Sequence, residues 1–272
     1  MWNRGWDLPE DERKKTQAGR VKASLFGCYA PREPFVMEKV LNFLEHEKKY
    51  PLGLVHKILD RLAGITVATT VFTYDEIVRY VKELPEEFSI AKGPCACRIH
   101  TAETLGPDAR DLPSGNLDFC RQTPLDVDIQ IATSGEIFGE LDTYTLISKE
   151  ELLELERQCF ERGLVSNVYT AMNTETGICH CSSATCAPFL ANEALGGASN
   201  VIVRGALVAH TDLDACNVTG DCVKVCHFHA RRIEEGDGGR QLKVDLAKCY
   251  GCGLCAAVCP EQAITMVARR KT

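Results

Sequence analysis

The sequence predicts an α+β protein: a helical N-terminal region, a cysteine-rich α+β middle domain, and a compact C-terminal domain made of two related halves. Three observations lead there. Apolar residues recur at helical spacing in four segments before residue 165. The segment "PLDVDIQIAT" at 124–133 alternates apolar and polar residues, as a half-buried strand does. Seven of the 15 cysteines fall between residues 216 and 259, in two runs that echo each other.

Residues 1–34 are polar, carry Pro31 and Pro34, and read as an extended arm. The span 35–90 reads as a helical region. In "EPFVMEKVLNFLEHEKK", Val36, Val40, Leu41 and Leu44 form a stripe; in "PLGLVHKILDRLAGI", Leu54, Val55, Ile58, Leu59 and Leu62 do the same, with Pro51 near the start and Gly64 near the end. In "TYDEIVRYVKELP" the stripe is Ile77, Val78, Val81 and Leu84, and Thr73 or Asp75 is the candidate cap. Three short helices also fit a helix-turn-helix, but an acidic chain favours a bundle that packs on the rest.

The middle domain, 91–200, holds the strand at 124–133, with Val127, Ile129 and Ile131 on one face. "SKEELLELERQCFERGL" follows as a helix, with Ser148 and Glu151 spaced as a capping box and Gly163 beyond its end. Cys159 within it, and Cys28 near the N-terminus, read as small buried hydrophobes.

Composition narrows the function. Hydrophobic residues make up 45% and charged residues 25%, ordinary for a globular domain, and no apolar run is long enough to span a bilayer. The N-terminal residues lack the apolar core of a signal peptide, so a cytoplasmic protein is expected. The net charge of −7 argues against a nucleic-acid partner. With 15 cysteines in a long chain without an export signal, metal binding outweighs a disulfide scaffold.

The last domain, 201–272, contains "CYGCGLCAAVCPEQAI". Cys249, Cys252, Cys255 and Cys259, followed by Pro260, have the C-x2-C-x2-C-x3-C-P spacing of bacterial ferredoxins. Three cysteines in a tight loop wrap one cubane; the fourth opens a helix and reaches a second cluster. Zinc sites instead present paired C-x2-C units far apart. Upstream, "CNVTGDCVKVCHFHAR" supplies Cys216, Cys222 and Cys226 in register with Cys249, Cys255 and Cys259; Thr219 stands where Cys252 would fall. The flanks "LVAHTDLDAC" and "LKVDLAKC" also match, and "EEGDGGRQ" reads as a hairpin turn between the halves. The fold expected is therefore a two-cluster ferredoxin-like domain. Its crossed ligand rule assigns Cys226, Cys249, Cys252 and Cys255 to a 4Fe–4S cluster. It assigns Cys216, Cys222 and Cys259 to a second cluster, either 3Fe–4S or 4Fe–4S with a non-cysteine ligand. Thr219, Asp221 and His227 are the candidates for that open corner.

Upstream, "GPCACRIH", "LDFC" and "GICHCSSATC" bring Cys95, Cys97, Cys120, Cys179, Cys181 and Cys186, with His100 and His180 beside them. A third metal centre, Fe–S or zinc, would need four of these thiols. The two C-x-C pairs, read as loops, are the first choice.

The whole pattern resembles the multi-domain 4Fe–4S dicluster ferredoxin proteins of anaerobic bacteria and archaea. The resemblance rests on "CACR" at 95–98, Cys120, "LISKEELLELERQCFERGLV" at 146–165, "GICHC" at 177–181 and the two ferredoxin halves, and covers residues 73–268. Ser182 and Ser183 stand where such proteins crowd more cysteines, and His227 where proline is expected. The resemblance implies electron transfer with a redox-enzyme protein partner, as part of a hetero-oligomeric complex. Two other classes stay open: a redox-sensing regulator with a DNA-binding N-terminus, and an oxidoreductase subunit that binds substrate at an incompletely ligated iron.

Overall fold

The structure, a computed structural model, describes residues 67–98, 126–171, 174–183, 185–194, 200–236 and 239–270. The arm at 1–34, the helices expected at 33–49 and 51–65, and Cys28, His100 and Cys120 lie outside the described residues. What is described mixes helix and sheet, as an α+β protein does.

The first part is a sheet with helices on both faces. In chain order its elements are β1 (Val67–Val71), α1 (Tyr74–Glu83), β2 (Ile90–Gly93), β3 (Asp128–Ile131), α2 (Thr133–Gly139), β4 (Thr145–Leu146), α3 (Lys149–Glu161), β5 (Val165–Ala171), β6 (Thr174–Cys181), α4 (Ala187–Ala194) and β7 (Ile202–Val203). The strand order is β4-β2-β3-β6-β5-β1-β7, antiparallel throughout except for the parallel pair β1–β7. Strand β1 falls inside the span read as helical. Its "VATTV" is rich in β-branched residues, whose stiff side chains suit a strand.

Helix α1 begins where the sequence places it. Thr73 is the cap and forms a full capping box with Glu76, which satisfies two orphan backbone donors. Ser148 and Glu151 do the same for α3. Beyond α3, Gly163 takes φ +75°, the left-handed conformation that ends a helix at little cost to glycine. Helices α1 and α3 cover one face of the sheet. Ile77, Val81 and Leu152 pack there against Ile129, Ile131, Val168 and Ile178. Each such fully buried side chain contributes roughly 1.5–3 kcal/mol.

Helix α2 on the opposite face was not foreseen. Its sequence, TSGEIFG, carries two glycines and is short, so periodicity gives little sign of it. The helix can lie this close to the chain before β2 because residue 135 is glycine: an added Cβ would sit 2.1 Å from the Ser89 carbonyl oxygen.

The second part follows: β8 (Leu207–Thr211), α5 (Asp221–Lys224), β9 (Arg231–Gly236), β10 (Gly239–Val244), a 3-10 turn (Leu246–Lys248), α6 (Leu254–Ala257) and β11 (Ile264–Ala268). The outer strands β8 and β11 pair antiparallel, and β9 and β10 form the hairpin, closed by the pair Gly236↔Gly239. This is the strand–loop–helix–strand repeat read from the sequence.

The backbone repeats with an offset of 33 residues. Val218 and Gly251 have φ +53° and +87°, Gly220 and Gly253 +92° and +80°, His229 and Gln262 +50° and +51°. Hydrogen bonds repeat too: Val223 N–H donates to Gly220 O and Ala256 N–H to Gly253 O, both at 3.0 Å. The loop around Thr219 therefore keeps the conformation of the loop around Cys252. The domain docks on the α2-side face of the sheet, where Tyr250, Leu254, Phe228 and Cys252 pack with Val71, Val165, Cys181, Cys186, Phe189 and Ile202.

Candidate metal centres

The two ferredoxin halves enclose two cysteine cavities. One is lined by Cys216, Thr219, Cys222 and Cys259; the other by Cys226, Cys249, Cys252 and Cys255. Each set mixes the halves: Cys259 of the second faces the first loop, and Cys226 of the first faces the second loop. The cause is local. Both cysteines lie just past a one-turn helix, α5 or α6, which carries them away from their own loop. The cavities hold about 360 and 380 Å³ of space between atoms, part of it open to solvent.

Of the three candidates for the open corner, only Thr219 lines its cavity. Asp221 turns to the Lys224 ammonium at 2.8 Å and to the Thr219 hydroxyl. His227 points out of the domain. Its Nε2–H donates to Gly163 O at 2.8 Å, and its Nδ1 accepts from Ser183 N–H at 3.2 Å. Burial holds this imidazole below its ordinary pKa, so it serves as a neutral clamp between the two parts of the fold. Two oxygen-bearing side chains that the motif comparison passed over, Asn217 and Glu261, do line the cavity.

The residues fit an iron–sulfur cluster on three counts. The four-thiol set is the donor set such clusters take. Burial pushes the Cys252 thiol well up and Cys255 up to about 11, so these sulfurs need a bound cation to become thiolates. Finally, Arg231 is only 4% exposed. Its Nη1 donates to Thr211 Oγ1 at 3.0 Å, and the guanidinium also hydrogen-bonds the Cys222 sulfur. The charge lies against Cys255, Cys222 and Cys226, which belong to both cavities. A buried guanidinium is costly unless an anion compensates it, and thiolate-ligated clusters are anionic. Arg231 reads as an ordinary basic residue at the start of β9; only the fold places it between the sites.

A third thiol group lies on the α2-side face of the sheet. Cys179 and Cys181 sit on strand β6 rather than in a loop, and the two-residue period of a strand puts both sulfurs on one face. Cys95 and Cys97 sit where the chain leaves β2 and turns helical at 96–98, and Cys186 leads into α4. Cys181 and Cys186 have their sulfurs 3.0 Å apart, and Cys95 and Cys97 share a hydrogen bond. Cys95 feels Cys181, and Cys186 feels Cys97, so the five thiols form one electrostatic group. A hydrogen bond from Cys97 lowers Cys95, and bonds from Cys179 and Cys186 hold Cys181 well below the ordinary thiol range.

Asp128 joins this group, with Oδ1 accepting from the Cys179 thiol at 3.5 Å and Oδ2 from the Tyr144 hydroxyl and the Gln130 amide, both at 2.7 Å. Burial raises its pKa. Asp128 was legible only as the solvent side of an alternating strand, yet both faces of β3 are buried. Among the described residues, no three His, Cys, Asp or Glu side chains converge on one point as the ligands of a single ion do.

His180 is not among the candidate ligands. Alternation sends it to the opposite face, where Nδ1–H donates to Val127 O at 2.8 Å and Nε2 meets the Glu156 carboxylate at 2.8 Å. Burial opposes its charge, but the Glu156 carboxylate and these bonds outweigh that and raise its pKa. On the same face Cys159 is a core residue, its thiol pushed up to about 12 by burial.

The crossed cysteine cavities are consistent with a ferredoxin-type iron–sulfur domain in the C-terminal part of the chain. Residues 215–263 match the family model of the 4Fe-4S dicluster domain, which spans both cysteine runs and supports 4Fe–4S binding and electron transfer by that part of the chain. Neither the curated proteins nor the solved structures include a match. Among the described residues, no helix is long and apolar enough to cross a membrane.

Proposed function

We propose that this chain is an electron-transfer protein, or the electron-transfer subunit of a redox enzyme complex, that relays electrons through two ferredoxin-type clusters and a third centre in the middle domain. The observation that carries the reading is the crossed lining of the two cavities: four cysteines in one, three and a threonine in the other. Cys226, Cys249, Cys252 and Cys255 hold a 4Fe–4S cluster. Cys216, Cys222 and Cys259 hold a 3Fe–4S cluster, because the Thr219 hydroxyl is a poor iron ligand and is hydrogen-bonded to Asp221. Four of Cys95, Cys97, Cys179, Cys181 and Cys186 hold the third centre.

When bound, such clusters take up and release one electron each. The residues around them bury the sulfurs, supply the compensating charge of Arg231 and fix the cavities relative to one another. Cys181 and Cys186 share one apolar cluster with Cys252, which supports a continuous path from the middle domain to the four-cysteine site.

A second reading has one observation in its favour. Glu261, Asn217 and Thr219 bring oxygens to the three-cysteine cavity, as a 4Fe–4S cluster with one exchangeable iron would need for substrate chemistry.

The test is anaerobic isolation of the full chain with iron, sulfide and zinc determination, followed by EPR of the oxidised and reduced forms. The electron-transfer reading expects about 11 irons per chain and a three-iron signal in the oxidised protein. About seven irons would remove the third centre. Stoichiometric zinc, or the lack of any signal gained on reduction, would sink the proposal.

A further inference from the structure

The thiol group of the middle domain, Cys95, Cys97, Cys179, Cys181 and Cys186, has one sulfur more than a cubane needs, and its hydrogen bonds tell the five apart. The ferredoxin-type domain shows what a ligand sulfur meets. Cys226 accepts from Ala230 N–H at 3.3 Å, and Cys252 accepts from Leu254 N–H. Such bonds favour a thiolate and tune the cluster it holds. The same kind of bond reaches three thiols of the middle domain. Cys95 accepts from Arg98 N–H, Cys97 from Ala187 N–H and Cys186 from Phe189 N–H. The last two donors lie in the first turn of α4, where backbone N–H groups have no partner within the helix. Cys181 accepts from the Cys179 and Cys186 thiols and lies near the Arg98 guanidinium, which is 3% exposed and also acts on Cys95. A bond to His180 O at 2.5 Å holds that guanidinium in place. Cys179 meets different groups. Its thiol donates to Asp128 Oδ1 at 3.5 Å. Asp128 Oδ2 already accepts from the Tyr144 hydroxyl and the Gln130 amide, whose carbonyl in turn accepts from Ser134. Strand register sets Cys179 opposite Asp128 on β3 and Asn167 on β5, so the three share a face. The Asn167 amide donates to Val165 O at 2.8 Å, which leaves its Oδ1 as a buried acceptor with no hydrogen-bond partner. A sulfur bound to iron has no proton to give, and here it would stand between two residues that offer oxygen acceptors.

We propose that Cys95, Cys97, Cys181 and Cys186 hold a 4Fe–4S cluster, and that Cys179 remains a free thiol bonded to Asp128. The sequence favours the two C-x-C pairs; the hydrogen bonds put Cys186 in the place of Cys179. The proposal rests on the reading that the middle domain holds a third centre, and it names the sulfurs and the cluster. A cubane takes its thiolates at four separate corners, which suits a group whose side chains, among the described residues, do not converge on one point. Cys181 and Cys186, 3.0 Å apart, move apart to take two of the corners. Arg98 supplies the positive charge that a buried anionic cluster needs, as Arg231 does in the ferredoxin-type domain.

The test is a set of single substitutions in the full chain, isolated anaerobically, with iron and zinc determination and Mössbauer spectroscopy on iron-57-enriched protein. The wild type should hold about 11 irons. Cys95→Ala, Cys97→Ala, Cys181→Ala and Cys186→Ala should each lose between about one and about four of them. Unchanged spectra of the two ferredoxin-type clusters then show that the variant has folded. Cys179→Ala should keep about 11 irons, and so should Cys179→Ser, which retains a donor to Asp128 and stands in if the alanine variant fails to fold. Loss of the third centre in both Cys179 variants, or its survival unchanged in any of the other four, would overturn the assignment while leaving a third centre in place. Its loss in Cys120→Ala would do the same. Stoichiometric zinc at this site would overturn the cluster. A wild type with about seven irons and no zinc would instead remove the third centre itself.

Discussion

Replacing Arg231 by methionine removes a buried positive charge from between the two cluster cavities while keeping a long side chain in its place. Arg231 is 4% exposed, hydrogen-bonds the Cys222 sulfur, and its charge acts on Cys255, Cys222 and Cys226. A unit charge about 4 Å from another is worth about 4 kcal/mol at an effective dielectric of about 20, and proportionately less further away. A cluster gains one negative charge on reduction, so Arg231 favours the reduced form. For a one-electron couple, about 59 mV corresponds to a tenfold change in the equilibrium. Loss of the guanidinium should therefore lower the midpoint potential of both ferredoxin-type clusters, by on the order of 100 mV. The assay is an anaerobic redox titration monitored by EPR, on protein whose iron content equals that of the wild type. Arg231→Lys, which keeps the charge, should shift the potentials less and guards against a variant that fails to fold. Midpoints within about 20 mV of the wild type in Arg231→Met, or midpoints that rise, would refute the electrostatic role given to this residue.

Three further outcomes are expected. Thr219→Cys should add about one iron per chain and abolish the three-iron signal of the oxidised protein, because the loop already has the conformation of the loop around Cys252; an unchanged iron count and spectrum would contradict this. Glu156→Ala should destabilise the protein by about 3–5 kcal/mol in denaturant titration, since it strands the fully buried His180, whereas Glu156→Gln should cost about 1–2 kcal/mol. Gly135→Ala should cost about 3 kcal/mol or prevent folding, because the new methyl meets the Ser89 carbonyl oxygen; wild-type stability in that variant would show that α2 can shift to make room.

The repeat of the two cysteine runs was legible because it is local: the 33-residue offset of the backbone is already present in the spacing of Cys216, Cys222 and Cys226 against Cys249, Cys255 and Cys259. The capping boxes at Thr73 and Ser148 were legible for a similar reason, since a cap is satisfied by side chains within one turn. The seven-stranded sheet was mostly not legible. Strand β1 lies beside helical patterns, and the β5–β6 hairpin carries polar residues on both faces. Asp128 and Gln130 look solvent-facing, and only tertiary packing against Tyr144 and the cysteine group reveals that they are buried. His180 illustrates the same limit. Next to two cysteines it reads as a potential ligand, but strand alternation turns it to the far face, toward Glu156. Arg231 meets cysteines from both halves of the last domain, and no local pattern announces that placement.

The crossed assignment of the cysteines is most directly tested by Cys259→Ser and Cys226→Ser, each examined by EPR and Mössbauer spectroscopy on iron-57-enriched protein. Cys259→Ser should remove or alter the three-iron site and leave the four-iron spectrum intact, although Cys259 follows directly on the run Cys249–Cys255. Cys226→Ser should perturb the four-iron site and spare the three-iron site. The reverse pattern, with each substitution damaging the cluster of its own half, would contradict the interlocked arrangement.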